Sequence, residues 1–241
     1  MCAQPIYTPQ RPAGRPAVLM TWRSLLFIHW PVPAEALQPL VPEPLEIDTF
    51  DGRAWVGLIP FTMPRVRMTR LPTVPTTRRF HECNVRTYVT ARGQPGVYFF
   101  SLDAASRLAV WCARRFWHLN YCFSRIDVHQ EGDVIHYAVD RAGDPAARMR
   151  CAWRGGSTRE QSKPGELAYF LTERYMLYTV NRQGRLLGGR IWHRPWSLRD
   201  AEMLELDDGL VWAAGITIPD ETPVLYHADE LHVRAWPLEP V

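Results

Sequence analysis

Polar and apolar side chains alternate in residues 81–89, HECNVRTYV. Side chains on a β-strand point to opposite faces in turn, so Glu82, Asn84 and Arg86 are predicted to share one face. These groups are costly to bury unless they bind each other or a ligand. One interpretation is a pocket where Glu82 acts as acid or base, Asn84 orients the ligand and Arg86 binds a carboxylate. The other is an internal Glu82–Arg86 pair that fixes strand register.

Polar residues of later segments extend the pocket hypothesis. Ser101 is predicted to bind ligand from the next strand, where Asp103 shares its face but is better explained as a helix N-cap. Arg174 and Tyr175 follow a short predicted helix, and His193 follows a predicted hairpin. We predict ligand contacts for these three residues, since a tyrosine and a histidine beside a pocket can perform acid–base chemistry.

The spacing of histidines and cysteines predicts neither a metal site nor a cofactor. The eight histidines show no H-x-x-x-H or H-E-x-x-H pattern, and the five cysteines show no C-x-x-C pattern. No G-x-G-x-x-G or Walker-type loop occurs. Scattered cysteines of odd number indicate reduced thiols in a cytoplasmic protein.

Composition limits the classes of partner. The net charge is +3 over 241 residues with both signs interspersed, which does not favour nucleic acid. No apolar run is long enough for a membrane span, and the N-terminus lacks a secretory signal. We expect a small anionic or carbonyl ligand, and a homo-oligomer is compatible with these features. Lys163 is the only lysine among 28 basic residues, for which a GC-rich genome is the favoured explanation.

Strands at hairpin spacing dominate the chain after a Pro-rich extended arm at residues 1–20. The central hairpin is predicted to join Glu82–Ala91 to Val97–Asp103 through a turn at 92–96. Further hairpins are predicted on both sides of it, at 46–63, 121–141 and 174–192. A strand at Arg148–Arg154 is expected to end at Gly155-Gly156. The chain shows no βαβ rhythm, which favours an antiparallel α+β sandwich or barrel.

Two segments beside the central hairpin have a distinct composition. Ala104–Trp117 is predicted to be a helix whose apolar stripe contains Leu108, Trp111, Cys112 and Phe116. Residues 65–79 contain five arginines and no acid. They are interpreted either as a solvated loop or as a basic flap over an anion pocket.

Six stretches in order resemble the family called domain of unknown function 2071, a bacterial family grouped with the acetoacetate decarboxylase-like fold. They are WRSLLFIHWPV, DTFDGRAWVGLIPFTM, HECNVRTYV, GVYFFSLDAASRLAV, FLTERYMLYT and HRPW. The resemblance covers nearly everything after residue 20. It implies one α+β domain over residues 21–241, mainly an antiparallel β-barrel or cone with a few short helices.

The resemblance also implies a pocket, in which Glu82 stands where related enzymes place an active-site glutamate. Acetoacetate decarboxylases use a buried lysine as a Schiff base. By its place in the chain, their lysine pair should fall near residues 119–122, where this sequence has none. Lys163 lies in a polar loop. Here His118 and Tyr121 occupy the region and are candidate catalytic residues together with Glu82.

The sequence therefore supports three hypotheses of different classes. The first is metal-free acid–base chemistry on a carbonyl compound, of lyase or hydrolase type, without a Schiff base. The second is a ligand-binding or regulatory protein that uses the same pocket without turnover. The third is a structural module in which the polar strand face is internal.

Overall fold

A computed structural model describes residues 10–69 and 79–241, and a single 12-stranded sheet dominates it. The strands are β1 (Val18–Val32), β2 (Glu46–Ile47), β3 (Ala54–Met68), β4 (Phe80–Ala91), β5 (Gln94–Ala104), β6 (Tyr121–Glu131), β7 (Val134–Arg141), β8 (Arg148–Thr158), β9 (Met176–Val180), β10 (Leu186–Trp192), β11 (Arg199–Asp208) and β12 (Val224–Pro240). The helices are α1 (Ala34–Leu37), α2 (Arg107–Cys112), α3 (Leu167–Thr172) and α4 (Leu210–Ala213). A 3₁₀ turn at Gln38–Leu40 extends α1, and a π-helical turn at Ala113–Trp117 extends α2.

The sheet closes on itself twice through its hydrogen-bonded neighbours. The small ring follows the order β5-β9-β10-β12-β1-β3-β4 and returns to β5. The large ring follows β5-β6-β7-β8-β11-β12-β1-β3-β4. Both rings share β12, β1, β3, β4 and β5, which therefore form a wall between two interiors.

Side chains of β4 alternate between these interiors, as the sequence predicts. Cys83 and Val85 belong to the apolar core of the large ring, together with Tyr137 and Trp153 from β7 and β8. The intervening residues of β4 face the inside of the small ring. Long strands rich in aromatic and β-branched residues suit such a two-sided wall, because both of their faces are buried.

The predicted fold class is confirmed, but the sheet is mixed and not wholly antiparallel. β5 runs parallel to β6 and to β9. The connection β5-α2-β6 is therefore a βαβ unit, contrary to the expectation of none. The helix itself was predicted, but a single helix among strands at hairpin spacing did not indicate that β5 and β6 are parallel.

One predicted turn and one predicted strand pairing differ from the observed ones, whereas the turn predicted at Asp51-Gly52 is confirmed. The central hairpin turns at Arg92-Gly93 alone, where both residues have positive φ (51° and 76°), as a two-residue turn that matches strand twist requires. Gly96 does not turn but lies within β5, paired with Val89. Glycine is needed there because the ring of Tyr178 comes within 2.6 Å of where a Cβ would be. In the predicted hairpin at 46–63, β2 pairs with β4 instead of β3.

The predicted helix at 104–117 begins later than expected. Ser106 is its N-cap, with its hydroxyl accepting a hydrogen bond from the Ala109 N–H, so the cap prediction for Asp103 is wrong. The predicted apolar stripe does not face the core, since Trp111 and Phe116 are 57% and 53% exposed. Small residues on the other side of this segment pack over the small ring instead.

Several boundaries also change. β3 continues to Met68, which places Arg65 and Arg67 on a strand, and residues 70–78 of the predicted basic loop lie outside the described residues. Gly155 continues β8 by pairing with β11, and it is glycine because the ring of His227 lies 2.9 Å from where a Cβ would be. Residues 1–9 of the predicted arm also lie outside the described residues, and β1 begins at Val18. None of the described helices is long and apolar enough to cross a bilayer.

Asp103 has a structural environment of its own. Its carboxylate is fully buried and pairs with Arg141 at 2.7 Å, and the Ser124 hydroxyl donates to it at 2.7 Å. Arg141 also donates to the Ser101 hydroxyl at 3.0 Å. The network joins β5 to β6 and β7, on the side of β5 away from the small ring.

We predict that Arg141→Met lowers the free energy of unfolding by about 3–5 kcal/mol, because it leaves a buried carboxylate without its cation. The matched control is Arg150→Met on β8, whose ion pair with Asp140 is half exposed. That change should cost about 1 kcal/mol or less. Urea unfolding of both variants measures the difference, and equal losses would contradict the structural role of the Asp103–Arg141 pair.

Candidate functional site

A cavity of about 200 Å³ occupies the inside of the small ring. All seven strands of that ring contribute to its wall, and α2 with the following π-helical turn covers one side through Ala109, Cys112 and Ala113. Most of the lining is apolar, with Trp22, Phe27, Phe61, Met63 and Phe99 among its large side chains. The size and apolar lining suit a small organic molecule.

Glu82, Asn84 and Arg86 all line this cavity, so the predicted shared face is confirmed. Their position follows from the regular pairing of β4 with β3, in which Glu82 lies opposite Phe61 and Arg86 opposite Gly57. A ladder of three polar side chains therefore runs along one wall of an otherwise apolar space.

Glu82 is 3% exposed and accepts a hydrogen bond from the Tyr121 hydroxyl at 2.7 Å. Burial raises the pKa of Glu82 from 4.5 to about 8, while the hydrogen bond from Tyr121 opposes that shift. The carboxyl group is therefore mostly protonated at neutral pH. Burial and the neighbouring Glu82 raise the pKa of Tyr121 well above 10, so its hydroxyl remains a donor.

Arg86 is a cation without an acidic partner. Its guanidinium donates to the Leu171 carbonyl at 3.0 Å and to the Tyr88 hydroxyl at 3.3 Å, and it lies 5.7 Å from the centre of the Phe27 ring. Among the ion pairs of the described residues none includes Arg86. Its Nε–H is buried without a hydrogen-bond acceptor.

Asn84 lies between the two charged residues along β4 and is 4% exposed. Its side chain contributes a hydrogen bond to Glu82, whereas its Oδ1 is buried with no donor. Unsatisfied buried polar atoms are rare in native proteins because each costs about 1–3 kcal/mol. The unsatisfied atoms of Asn84 and Arg86 both belong to residues that line the same cavity.

The alternative interpretation, an internal Glu82–Arg86 pair, is wrong within this structure. Each residue has other partners, Tyr121 for Glu82 and the Leu171 carbonyl for Arg86. The reason is distance, since the two positions are four residues apart on an extended strand and the guanidinium lies on the Tyr88 side of Arg86.

The region where the resemblance places a lysine pair does reach the cavity. Leu119 and Tyr121 both line it. Lys163, the only lysine, is exposed in a loop before α3 and its backbone N–H donates to Glu166. The cavity wall therefore contains no amine that could form a Schiff base.

Ser101 and His118 lie outside this cavity. Ser101 is held by Arg141, and its face is turned away by a bulge between Val85 and Arg86 in the β4–β5 pairing. His118 ends the π-helical turn with φ of 51°, and its carbonyl accepts a hydrogen bond from Thr179. Both residues line a separate, more open groove of about 480 Å³ that also includes Cys122. A raised pKa of Cys122, caused mainly by burial, does not favour a reactive thiolate there.

Arg174, Tyr175 and His193 form a buried cluster outside the cavity lining. Arg174 pairs with Asp48 at 2.6 Å and lies 4.2 Å from the centre of the Phe170 ring. The rings of Tyr175 and His193 stack at 4.6 Å. Burial lowers the pKa of His193 to about 4, which keeps this ring neutral. These contacts join α3 to the following segments, and the predicted ligand role of the three residues stays a prediction.

Two residues of the cavity lining with ionisable side chains, Cys112 and Arg190, were not among the predicted site residues. Cys112 was assigned to a core stripe, and only the packing of α2 shows that it faces the cavity. Arg190 on β10 is exposed and also lines the cavity, so it marks an opening to solvent. The sequence of β10, LLGGRIW, shows no alternation that could have indicated which way Arg190 faces.

One group of side chains has the composition of a metal site. His129 and Glu131 on β6 and His136 on β7 have candidate ligand atoms that all lie within 4.8 Å of one another. The two imidazole rings are stacked at 4.6 Å because they occupy paired positions of the hairpin. This group is largely exposed and none of its members lines the cavity of the small ring.

Comparison with known proteins places these features in a family. The model of domain of unknown function 2071, described as an uncharacterised conserved protein, matches residues 19–232. This chain belongs to that family. The uncharacterised protein YqjF of Bacillus subtilis (strain 168) is 43% identical over 227 residues, covering 94% of the chain and 93% of YqjF.

Several solved enzymes have a similar fold, acetoacetate decarboxylases among them. One is the enduracididine biosynthesis enzyme MppR, solved in complex with the condensation product of pyruvate and imidazole 4-carboxaldehyde. Its TM-score is 0.69 at 13% sequence identity, and the match covers 95% of this chain and 90% of the MppR chain. Acetoacetate decarboxylase from Legionella pneumophila has a TM-score of 0.65 at 12% identity, with 99% and 93% covered. The family member described here therefore has the acetoacetate decarboxylase-like fold.

We predict that Glu82 makes the protein less stable as pH rises. Its pKa of about 8 exceeds the value of 4.5 for the unfolded chain, so the folded state binds more protons between these values. The free energy of unfolding must then fall across that range, by several kcal/mol at about 1.4 kcal/mol per pKa unit. Glu82→Gln, which cannot ionise, should flatten this fall.

Urea unfolding at intervals from about pH 5 to about pH 9 measures the effect. The control is Glu46→Gln on β2, because that side chain is exposed. Parallel curves for wild type and Glu82→Gln would show that Glu82 is not buried in the protonated form.

Proposed function

We propose that the small-ring cavity binds a small carboxylate that also bears a carbonyl group, with Arg86 as the anchor for the carboxylate. The observation that carries this proposal is that Arg86, at the wall of an apolar cavity, has no acidic partner within residues 10–69 and 79–241. A guanidinium in such a place gains most from a carboxylate, which accepts charge-assisted hydrogen bonds. The unsatisfied Nε–H of Arg86 is the donor available for this contact.

Glu82 and Tyr121 supply the acid–base chemistry of this proposal. With a pKa of about 8, Glu82 can hold or release a proton near physiological pH. In the ionised form it removes a proton from the carbon beside the carbonyl. The C–H electron pair then becomes part of a C=C bond, and the developing oxygen anion receives a hydrogen bond from the Tyr121 hydroxyl.

The related structures support a ligand of this class. MppR has been solved with pyruvate and with a pyruvate-derived condensation product, and acetoacetate decarboxylase is named for a keto acid. A Schiff base is not part of the proposal, because Lys163 is exposed and does not line the cavity. Proton transfer at carbon requires only the groups already in the wall.

We predict that small carboxylates and keto acids raise the melting temperature of the wild type and have no such effect on Arg86→Met. A ligand that binds only the folded state stabilises it by mass action, by about 2.7 kcal/mol at 100 times its Kd. The matched control, Arg125→Met, removes an exposed arginine of β6 and should retain the full response. Equal responses of wild type and Arg86→Met would contradict the carboxylate anchor.

Catalysis is tested separately from binding by proton exchange. In D₂O, the wild type should exchange hydrogens beside the carbonyl of a bound keto acid faster than the free acid exchanges them. The rate should rise with pH up to about pH 8, as the carboxylate form of Glu82 becomes populated. Glu82→Gln should lose the exchange while still binding, as followed by NMR.

Binding without exchange in the wild type would favour the second hypothesis, a ligand-binding or regulatory protein that performs no chemistry. Loss of stability in Arg86→Met with no ligand response in either protein would favour the structural hypothesis.

A further inference from the structure

The polar groups of the cavity are arranged in a fixed order along β4. Arg86, Asn84 and Glu82 occupy alternate positions of a strand that pairs with β3 without a bulge across this stretch. Arg86 and Glu82 are four positions apart, so their Cα atoms lie about 13 Å from each other at about 3.3 Å per residue. The strand therefore holds its cation and its acid at a set spacing.

The side chains do not close this gap. The guanidinium of Arg86 points toward Tyr88, with which it forms a hydrogen bond, and Tyr88 lies on the side of Arg86 away from Glu82. The Leu171 carbonyl holds the same group from α3. Glu82 is held at the other end by Tyr121. The two functional groups are therefore held apart at about the spacing of their Cα atoms, about 13 Å.

The two ends of the cavity also differ in access. Beyond Arg86, the fully buried side chains of Tyr88 and Leu171 close the space. Beyond Glu82, the cavity-facing residues of β3 are Met63, Val66 and Met68, which form an apolar passage toward the end of that strand. A ligand anchored on Arg86 would pass Asn84 and Glu82 and extend its remaining atoms along this passage.

We propose that the site selects elongated oxo acids in which the carboxylate and the carbonyl are four or five carbon–carbon bonds apart, not 2-oxo acids. This inference rests on the proposed function. After about 2.9 Å is allowed for a hydrogen bond at each end, the gap of about 13 Å between Arg86 and Glu82 leaves about 7 Å for the ligand. A 2-oxo acid, whose carboxyl and carbonyl carbons are directly bonded at about 1.5 Å, cannot contact both groups at once.

The methionines of the passage suit a flexible tail. Met63 and Met68 have unbranched side chains that adapt to irregular shapes, and Met20 of β1 lines the same region. An unbranched acid of medium length can therefore place its tail along this passage.

Positional isomers of oxooctanoate test the spacing, because they share one formula and nearly the same hydrophobicity. Isothermal titration of the wild type should show 5-oxooctanoate binding at least about tenfold more tightly than 2-oxooctanoate or octanoate. In Glu82→Leu this advantage should disappear while all three acids still bind through Arg86. In Arg86→Met all three should bind at least about tenfold more weakly.

The outcomes separate this inference from the proposed function. The spacing inference is overturned if the isomers bind wild type equally or if the 2-oxo isomer binds best. The proposed function still stands in that case, provided that binding is lost in Arg86→Met. If no isomer binds wild type, or if Arg86→Met binds as wild type does, the proposed function fails as well. Comparison of isomers on the wild type does not depend on how well any variant folds.

Discussion

The alternation of side chains along β4 is the constraint on which the rest of the structure depends. β4 belongs to the wall shared by both rings, so every residue of its central part is directed into one interior or the other. Cys83 and Val85 fill the core of the large ring, while Glu82, Asn84 and Arg86 enter the cavity of the small ring. A shift by one residue would exchange these sets, placing an acid and a guanidinium in a packed core.

Buried ionisable groups of this protein are compensated in two different ways. Asp103 is neutralised by Arg141, and Arg174 by Asp48, so those charges are compensated within the protein. Arg86 has no such acid, and Glu82 is compensated by protonation, which its pKa of about 8 reflects. Compensated pairs connect strands and account for stability. Uncompensated groups at a cavity wall leave interactions for a ligand to complete, which is why the proposed site comprises Glu82, Asn84 and Arg86.

The acetoacetate decarboxylase-like fold supplies an enclosed apolar space without dictating its chemistry. In this family member, the segment after α2 reaches the cavity through Leu119 and Tyr121 and contributes no amine. In the proposed function, the Tyr121 hydroxyl that donates to Glu82 takes part in proton transfer in place of an amine. We further propose that the spacing along β4 selects which carboxylates contact both ends of the polar ladder.

The sequence by itself determined the fold class, the family resemblance and the polar face of β4, because strand alternation and turn residues are local properties. It could not show that Tyr121 reaches Glu82, because that contact depends on the parallel crossover after β5. Nor could it show that Ser101, His118 and His193 do not line the cavity. The position of Ser101, for example, depends on a bulge in the β4–β5 pairing. It also assigned the apolar residues of α2 to the core, because periodicity identifies an apolar face without identifying what covers it. Only the tertiary structure decided that Glu82 and Arg86 remain apart, since the strand register and the contacts of Arg86 with Tyr88 and Leu171 hold them at opposite ends of one cavity.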